Sequence, residues 1–145
     1  MKALIQRVRH ARVEVMSHSV ADIGAGMLVF IGIDAHDTDQ TVDNLSDRLV
    51  RYRLFADTQG RMNLDVAQTA GDILLVPQFT LSAQTDKGLR PGFSTAALPA
   101  DAERLFKRAM ARIRAKHPST CCGQFGADMQ VSLQNDGPVT FLLEN

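Results

Sequence analysis

The sequence predicts a single α+β domain with a mostly antiparallel or barrel-like β-sheet and two main helices. Three features carry that expectation: alternating apolar and polar residues near both ends of the chain, two short continuous apolar runs between them, and two amphipathic stretches of helical period. At 145 residues the chain suits one hydrophobic core, so residues 1–145 are expected to form one domain.

Residues 3–9 and 11–16 alternate as strands, with Ala11, Val13 and Val15 on one face and Arg12 and Glu14 on the other. Ser17-His18-Ser19 reads as the turn between paired strands. Gly24-Ala25-Gly26 punctuates the chain before the apolar run 27–33, whose β-branched and aromatic content and short length predict a buried central strand. Val42, Leu45, Leu49 and Tyr52 recur at steps of three and four, which predicts a helix over 41–55 with Asp43, Asp47, Arg48 and Arg51 on its outer face. Asp37, Thr38 and Asp39 are its candidate caps. Asp57-Thr58-Gln59-Gly60 is a turn, and 73–76 is a second buried strand. Pro77 has no N–H to give a sheet, so the ladder is expected to weaken there.

Residues 82–98 are polar, contain Gly88, Pro91 and Gly92, and carry the basic pair Lys87 and Arg90. They predict a long surface loop, a kind of segment that is often functional. A second helix is expected from about Pro99, burying Ala102, Leu105, Phe106, Ala109 and Ile113 and exposing Lys107, Arg108, Arg112, Arg114 and Lys116. A strand over 127–134, a turn at Asn135-Asp136-Gly137-Pro138 and a returning strand over 139–143 complete the expected fold.

Hydrophobic residues at 45% and charged residues at 22% describe a folded globular chain and exclude intrinsic disorder. The longest apolar run is far short of the roughly 18 residues that span a bilayer, and Met1-Lys2 leads straight into a strand pattern, so a cytoplasmic protein is expected. Lys plus Arg equals Asp plus Glu at 16 each, so no overall field draws the chain to nucleic acid. Any RNA contact is therefore local. Cys121 and Cys122 are adjacent, a poor arrangement for a structural disulfide or a zinc site, and are expected as reduced thiols. His10, His18, His36 and His117 lack metal-ligand spacing, and neither metal nor cofactor is expected.

Two segments break local rules, 77–81 and 135–140. Gln78 and Thr80 follow a buried strand and alternate to the same side, where they either line a cleft or satisfy backbone groups at the strand end. Asp136-Gly137 suits a hairpin turn, yet Pro138 forfeits an N–H where the returning strand begins, and X-Pro is the one common setting for a cis peptide. The sequence offers no convincing Ser-His-Asp or Cys-His set, and Thr80 has no evident base beside it.

Gln78-Phe79-Thr80-Leu81 and Asn135-Asp136-Gly137-Pro138-Val139-Thr140 together resemble the two signature motifs of the D-aminoacyl-tRNA deacylases, also described as D-tyrosyl-tRNA deacylases. The resemblance runs the length of the chain, through Ala3-Leu4-Ile5-Gln6-Arg7-Val8, Gly24-Ala25-Gly26, Met62-Asn63-Leu64, Arg90-Pro91 and Ala127-Asp128-Met129-Gln130-Val131. Two positions depart from it. Pro77 stands where the family usually has Ser, and Gly92 where Ser is common.

The resemblance implies a hydrolase that cleaves the ester of D-aminoacyl-tRNA, and glycyl-tRNA to some degree, while rejecting the L form: chiral proofreading in translation. It implies a homodimer in which Gly137-Pro138, as a cis pair, projects into the pocket of the other subunit. Arg7 would brace that motif through its guanidinium fork, with an ion-paired strand-end arginine as the lesser alternative. Gln78, Phe79 and Thr80 form the implied catalytic segment, with backbone N–H groups of Phe79 and Thr80 on the ester carbonyl and the adenosine 2′-hydroxyl helping to activate water. Thr80 as a covalent nucleophile is the alternative. Phe125 and Met129 match positions that hold the terminal adenosine, and as bare residues they also suit a core. The implied partners are the aminoacylated 3′ end of tRNA and a second copy of the chain. The competing class is a non-catalytic module that binds tRNA ends or nucleotides through the basic face of the second helix.

Overall fold

Apolar residues recur along the first fifteen positions, and in the computed structural model, which describes residues 1–144, they form one strand, β1 (Lys2–Val15). Two strands, 3–9 and 11–16, were expected. The alternation slips instead of stopping: Ala3 and Ile5 are buried, then Val8, then Ala11 and Val13, and the slip coincides with bulges in the pairing partner.

One edge of β1 is shared by two antiparallel neighbours, β2 (His18–Ile23) along Ala11–Val15 and β3 (Gly26–Gly32) along Lys2–Val8. The turn between β1 and β2 falls at Met16 and Ser17, both at positive φ, one step before the expected position. From β3 the sheet continues in parallel through β6 (Asp72–Pro77) to β7 (Thr120–Cys122). The last strand, β8 (Gln130–Glu144), lies antiparallel along the other edge of β1 for nearly its whole length. The result is a mixed sheet that curls into a nearly closed barrel, with β2 facing β6 and β7 across it.

The continuous apolar run of β3 follows from burial on both faces. Met27, Val29 and Ile31 join a core beneath the helices, whereas Leu28 joins Val8, Ala11, Val13, Leu74 and Val76 inside the curl. The helical layer is α1 (Asp39–Val50) and α2 (Pro99–Lys116). Thr38 caps α1 in a capping box with Thr41. That helix ends at Val50 with Arg51 as its C-cap, short of the expected Phe55: Tyr52 packs edge-on against Phe141 of β8 at 5.5 Å and Phe55 enters a small ribbon, β4 (Phe55–Ala56) with β5 (Met62–Leu64). Leu45, Leu49 and Leu105 are fully enclosed, and truncating one of them to Ala costs about 2–5 kcal/mol.

Pro99 opens α2, and the five residues expected to be buried on that helix are its buried residues. Its basic side is not a free face. Arg104, Arg108, Arg112 and Lys116 are matched by Asp39, Asp43 and Asp47 of α1 at 2.6–3.3 Å. Among the described residues, no helix is long and apolar enough to cross a membrane.

The expected hairpin at 135–138 is absent, since β8 continues through these residues. Between the pairs Gln6–Thr140 and Val8–Asn135, two steps of β1 face five of β8, so the strand throws out a short excursion and rejoins the ladder. Gly137 at φ +140° and Pro138 without an N–H leave the ladder here without reversing the chain.

Candidate functional site

Pro77 ends β6 opposite Ile31, and the N–H of Gln78 makes the last bond of that edge, to the Ile31 carbonyl at 2.7 Å. The chain then winds into one 3-10 turn, Phe79–Ser82. This turn presses on β3 at Gly32, where a Cβ would lie 2.8 Å from that of Leu81. Only glycine allows the approach. As the first residues of the turn, Phe79 and Thr80 have no carbonyl behind their N–H groups, and among the described residues nothing else accepts from them. The Gln78 side-chain amide donates to the Thr80 hydroxyl. The described residues bring no histidine, cysteine or carboxylate into hydrogen-bond contact with that hydroxyl. The turn thus offers two backbone donors toward solvent and a threonine without a base.

Beside Pro77 lies Gly123, whose N–H donates to the Leu75 carbonyl at 2.8 Å. A Cβ there would meet the Met129 sulfur at 2.8 Å and the Pro77 ring at 3.7 Å, so Met129 borders the exposed end of β6. Phe125 is half-buried, its ring 6.2 Å from that of Phe106 on α2. Both residues also pack on core clusters, Phe125 on the one beneath the helices and Met129 on the one inside the curl.

The second sequence segment is built around Gly137-Pro138, which is a cis peptide in an exposed position on β8. Three side chains hold it. Arg7 donates from Nε to the Asp136 carbonyl at 3.1 Å and from Nη1 to the Leu54 carbonyl at 2.9 Å, tying the excursion to the segment after α1. Arg7 and Arg9 also flank the Asp136 carboxylate at 3.2 and 3.1 Å. Asn135 closes the neck: its Oδ1 accepts from the Val139 N–H at 2.8 Å, and its Nδ2 donates to the Val139 carbonyl at 3.1 Å. A Cβ on Gly137 would fall 2.6 Å from Val139 Cγ2 and 3.2 Å from Arg7 Nη2.

Within one chain the two segments stay apart. Strands β1 and β3 separate β8 from β6, three interstrand steps of about 4.8 Å, or about 14 Å along the sheet. Arg7, Gly137 and Pro138 are brought together, and Gln78, Phe79 and Thr80 share the turn with Met129 on the Pro77 side of it, but neither group reaches the other. The Asn135 clamp and the contact glycines Gly32 and Gly123 escaped the sequence reading. Asn135 lay inside a recognised motif, whereas nothing local distinguishes a glycine needed for contact from one in a turn.

The helix pair carries three carboxylates displaced toward the ionised form by their cations. Asp47 is held well below the usual carboxylate range by hydrogen bonds from Arg112 and Lys116. Hydrogen bonds from Arg108 and Arg104 lower Asp43 and Asp39, and the same contacts raise Arg108 and Arg112. These arginines are already satisfied, which removes the main support for an RNA-binding face on α2. Asp34, His36 and Asp37 bring ligand-capable atoms within 4.8 Å, a grouping the sequence pattern did not reveal, yet both carboxylates there pair with the Met1 ammonium.

Known proteins resemble this chain over its entire length. A D-aminoacyl-tRNA deacylase of Stutzerimonas stutzeri (strain A1501) is 54% identical over 145 residues, covering 100% of both chains. That of Marinomonas sp. (strain MWYL1) is 53% identical, covering 99% of this chain and 100% of its own. A solved structure described as "c-Myc DNA Unwinding Element Binding Protein" superposes with a TM-score of 0.95 at 36% identity, over 100% of this chain and 99% of that one. A probable eukaryotic D-amino acid tRNA deacylase shares the fold with a TM-score of 0.88 at 16% identity, over 98% and 97% of the chains. The family model described as D-Tyr-tRNA(Tyr) deacylase matches residues 4–144, and the chain belongs to that family.

Proposed function

We propose that this protein hydrolyses the ester bond of D-aminoacyl-tRNA at a site completed by a second copy of the chain, with Gly137-Pro138 as the chiral gate. The observation that carries this reading is the division of labour within one chain: free backbone donors at Phe79 and Thr80, and a braced, projecting Gly137-Pro138 that cannot reach them. A symmetric dimer supplies each turn with the gate of its partner.

In this arrangement the N–H groups of Phe79 and Thr80 receive the ester carbonyl oxygen and stabilise the oxyanion as water adds. The neighbouring adenosine 2′-hydroxyl orients and helps deprotonate that water, and the 3′-oxygen leaves with a proton. Thr80 has no base, so a covalent route through its hydroxyl is the less favoured path. Carbonyl oxygens of Gly137 and Pro138 accept from the substrate ammonium, while their bulk fills the volume an L side chain requires. Selection is therefore made at Cα and is indifferent to the D side chain. Glycine carries nothing to reject, so glycyl-tRNA is also cleaved. Met129 and Phe125 flank the terminal adenosine, and Pro77 removes one hydroxyl contact from the pocket without touching Phe79 or Thr80. Chiral proofreading in the cytoplasm is the role that fits.

The test is release of amino acid from matched D- and L-aminoacyl-tRNA by the purified protein in the presence of a chelator. Rapid release of the D form alone is expected. Equal release of both, or of neither, contradicts the proposal.

A further inference from the structure

Beyond the ester-cleaving turn, an aromatic and a basic feature adjoin each other with no assigned role. The ring of Phe79, 60% exposed, packs at 5.1 Å and 48° against Phe93, itself 42% exposed. Two exposed rings in contact form a ledge beside the free N–H groups. Next to the ledge, Gln84, Asp86, Lys87, Arg90 and Gly92 line a polar cleft of about 200 Å³.

This loop is fastened to the turn. Gln84 and Gly92 exchange backbone hydrogen bonds at 2.8 and 3.0 Å, Ser94 donates to the Gln84 side chain at 2.8 Å, and Thr95 donates to the Ser82 carbonyl at 2.5 Å. Ser82 is the last residue of the 3-10 turn, so cleft and ledge are held in register with Phe79 and Thr80. Arg104, Arg108, Arg112 and Lys116 of α2 are paired with α1 carboxylates, whereas Lys87 and Arg90 make no ion pair among the described residues. In a chain of zero formal charge, free cations beside an open aromatic pair are a local attraction for a polyanion that carries π-faces.

We infer that this surface binds the single-stranded 3′ end of tRNA immediately inside the terminal adenosine, Phe93 stacking on a base and Lys87 and Arg90 holding the phosphodiesters. The inference rests on the deacylase reading for the position of the terminal adenosine. Stacking on aromatic rings with basic contacts to the backbone is the general mode of single-strand recognition. It also reconciles tRNA binding with a neutral chain.

Two measurements test it, one of them independent of hydrolysis. In binding, wild-type protein is expected to prefer uncharged tRNA over the same tRNA trimmed of its single-stranded 3′ nucleotides. Phe93→Leu, which keeps an apolar contact to Phe79, and Lys87→Ala/Arg90→Ala are each expected to shrink that preference at least about fivefold. The basic double variant is also expected to reduce the salt slope of binding by about 1.4, from two lost phosphate contacts. In catalysis, the ratio of kcat/KM on D-aminoacyl-tRNA to that on 3′-D-aminoacyl-adenosine is expected to fall by the same factor. An unchanged preference and ratio, or an equal loss on both substrates by variants that remain dimeric, overturns the inference. Wild-type protein that cleaves neither substrate defeats the deacylase reading instead, and the binding comparison still decides this one.

Discussion

Arg7 and Asp136 are joined twice: Arg7 Nε donates to the Asp136 carbonyl at 3.1 Å and faces its carboxylate at 3.2 Å. The same guanidinium reaches the Leu54 carbonyl, so one planar group fixes the excursion of β8 relative to the end of α1. A lysine supplies one ammonium and no fork. Arg7→Lys is expected to cost about 1.5–3 kcal/mol in urea unfolding and to raise L-aminoacyl-tRNA release relative to D. A variant with unchanged stability and discrimination shows that Arg7 does not brace the gate.

Gly137 holds φ +140°, and a methyl there collides with Val139. Gly137→Ala is expected to lose about 1–3 kcal/mol of stability and to impair turnover of the D substrate, because the carbonyls that meet the ammonium must shift. Thermal melts and steady-state kinetics on one preparation check both effects.

For Thr80 the expectation is tolerance. Thr80→Ala removes a hydroxyl bonded to Gln78 and leaves the backbone N–H in place, so it is expected to keep much of the single-turnover rate. A substrate lacking the adenosine 2′-hydroxyl is expected to lose most of it, since a positioned group beside the ester far outperforms bulk solvent. An inactive Thr80→Ala that still binds tRNA, with the deoxy substrate cleaved normally, makes Thr80 the nucleophile.

Carboxylates of α1 give the fold an acid-sensitive seam. Asp39, Asp43 and Asp47 have folded pKa values below their unfolded ones, so their contribution is fully present above about pH 4 and is lost as pH falls through the lower folded values. Asp43→Asn/Asp47→Asn is expected to melt below wild type at pH 7, with the gap closing as pH falls below about 3 and narrowing at high salt. A gap that persists unchanged in acid contradicts the assignment.

Much of this architecture is written locally. Pro99 marks the first turn of α2, Pro77 ends the β3–β6 ladder, and the 27–33 run reports a strand buried on both faces. The misses share a different cause. Asp136-Gly137 has hairpin chemistry, but β1 is long enough to pair on both sides of it, and tertiary pairing overrides the turn. The basic residues of α2 looked free because their partners are about 65 residues earlier, although Asp39, Asp43 and Asp47 repeat at matching intervals of four. Tyr52 continued the helical period of α1 while its ring belonged with Phe141. The candidate site was legible only as two motifs, and their separation across β1 and β3 is a property of topology.

That separation makes subunit complementation the most direct measurement of the central proposal. Phe79→Pro removes one of the two free N–H groups at a position where proline suits the first residue of a turn. Gly137→Val disables the gate through its clash with Val139. Each homodimer is expected to be inactive on D-aminoacyl-tRNA. Co-refolding equal amounts gives half heterodimers, each pairing the intact turn of one chain with the intact gate of the other, so about one quarter of wild-type activity is expected to return. If each site is built within a single chain, every combination stays defective and the mixture shows no recovery.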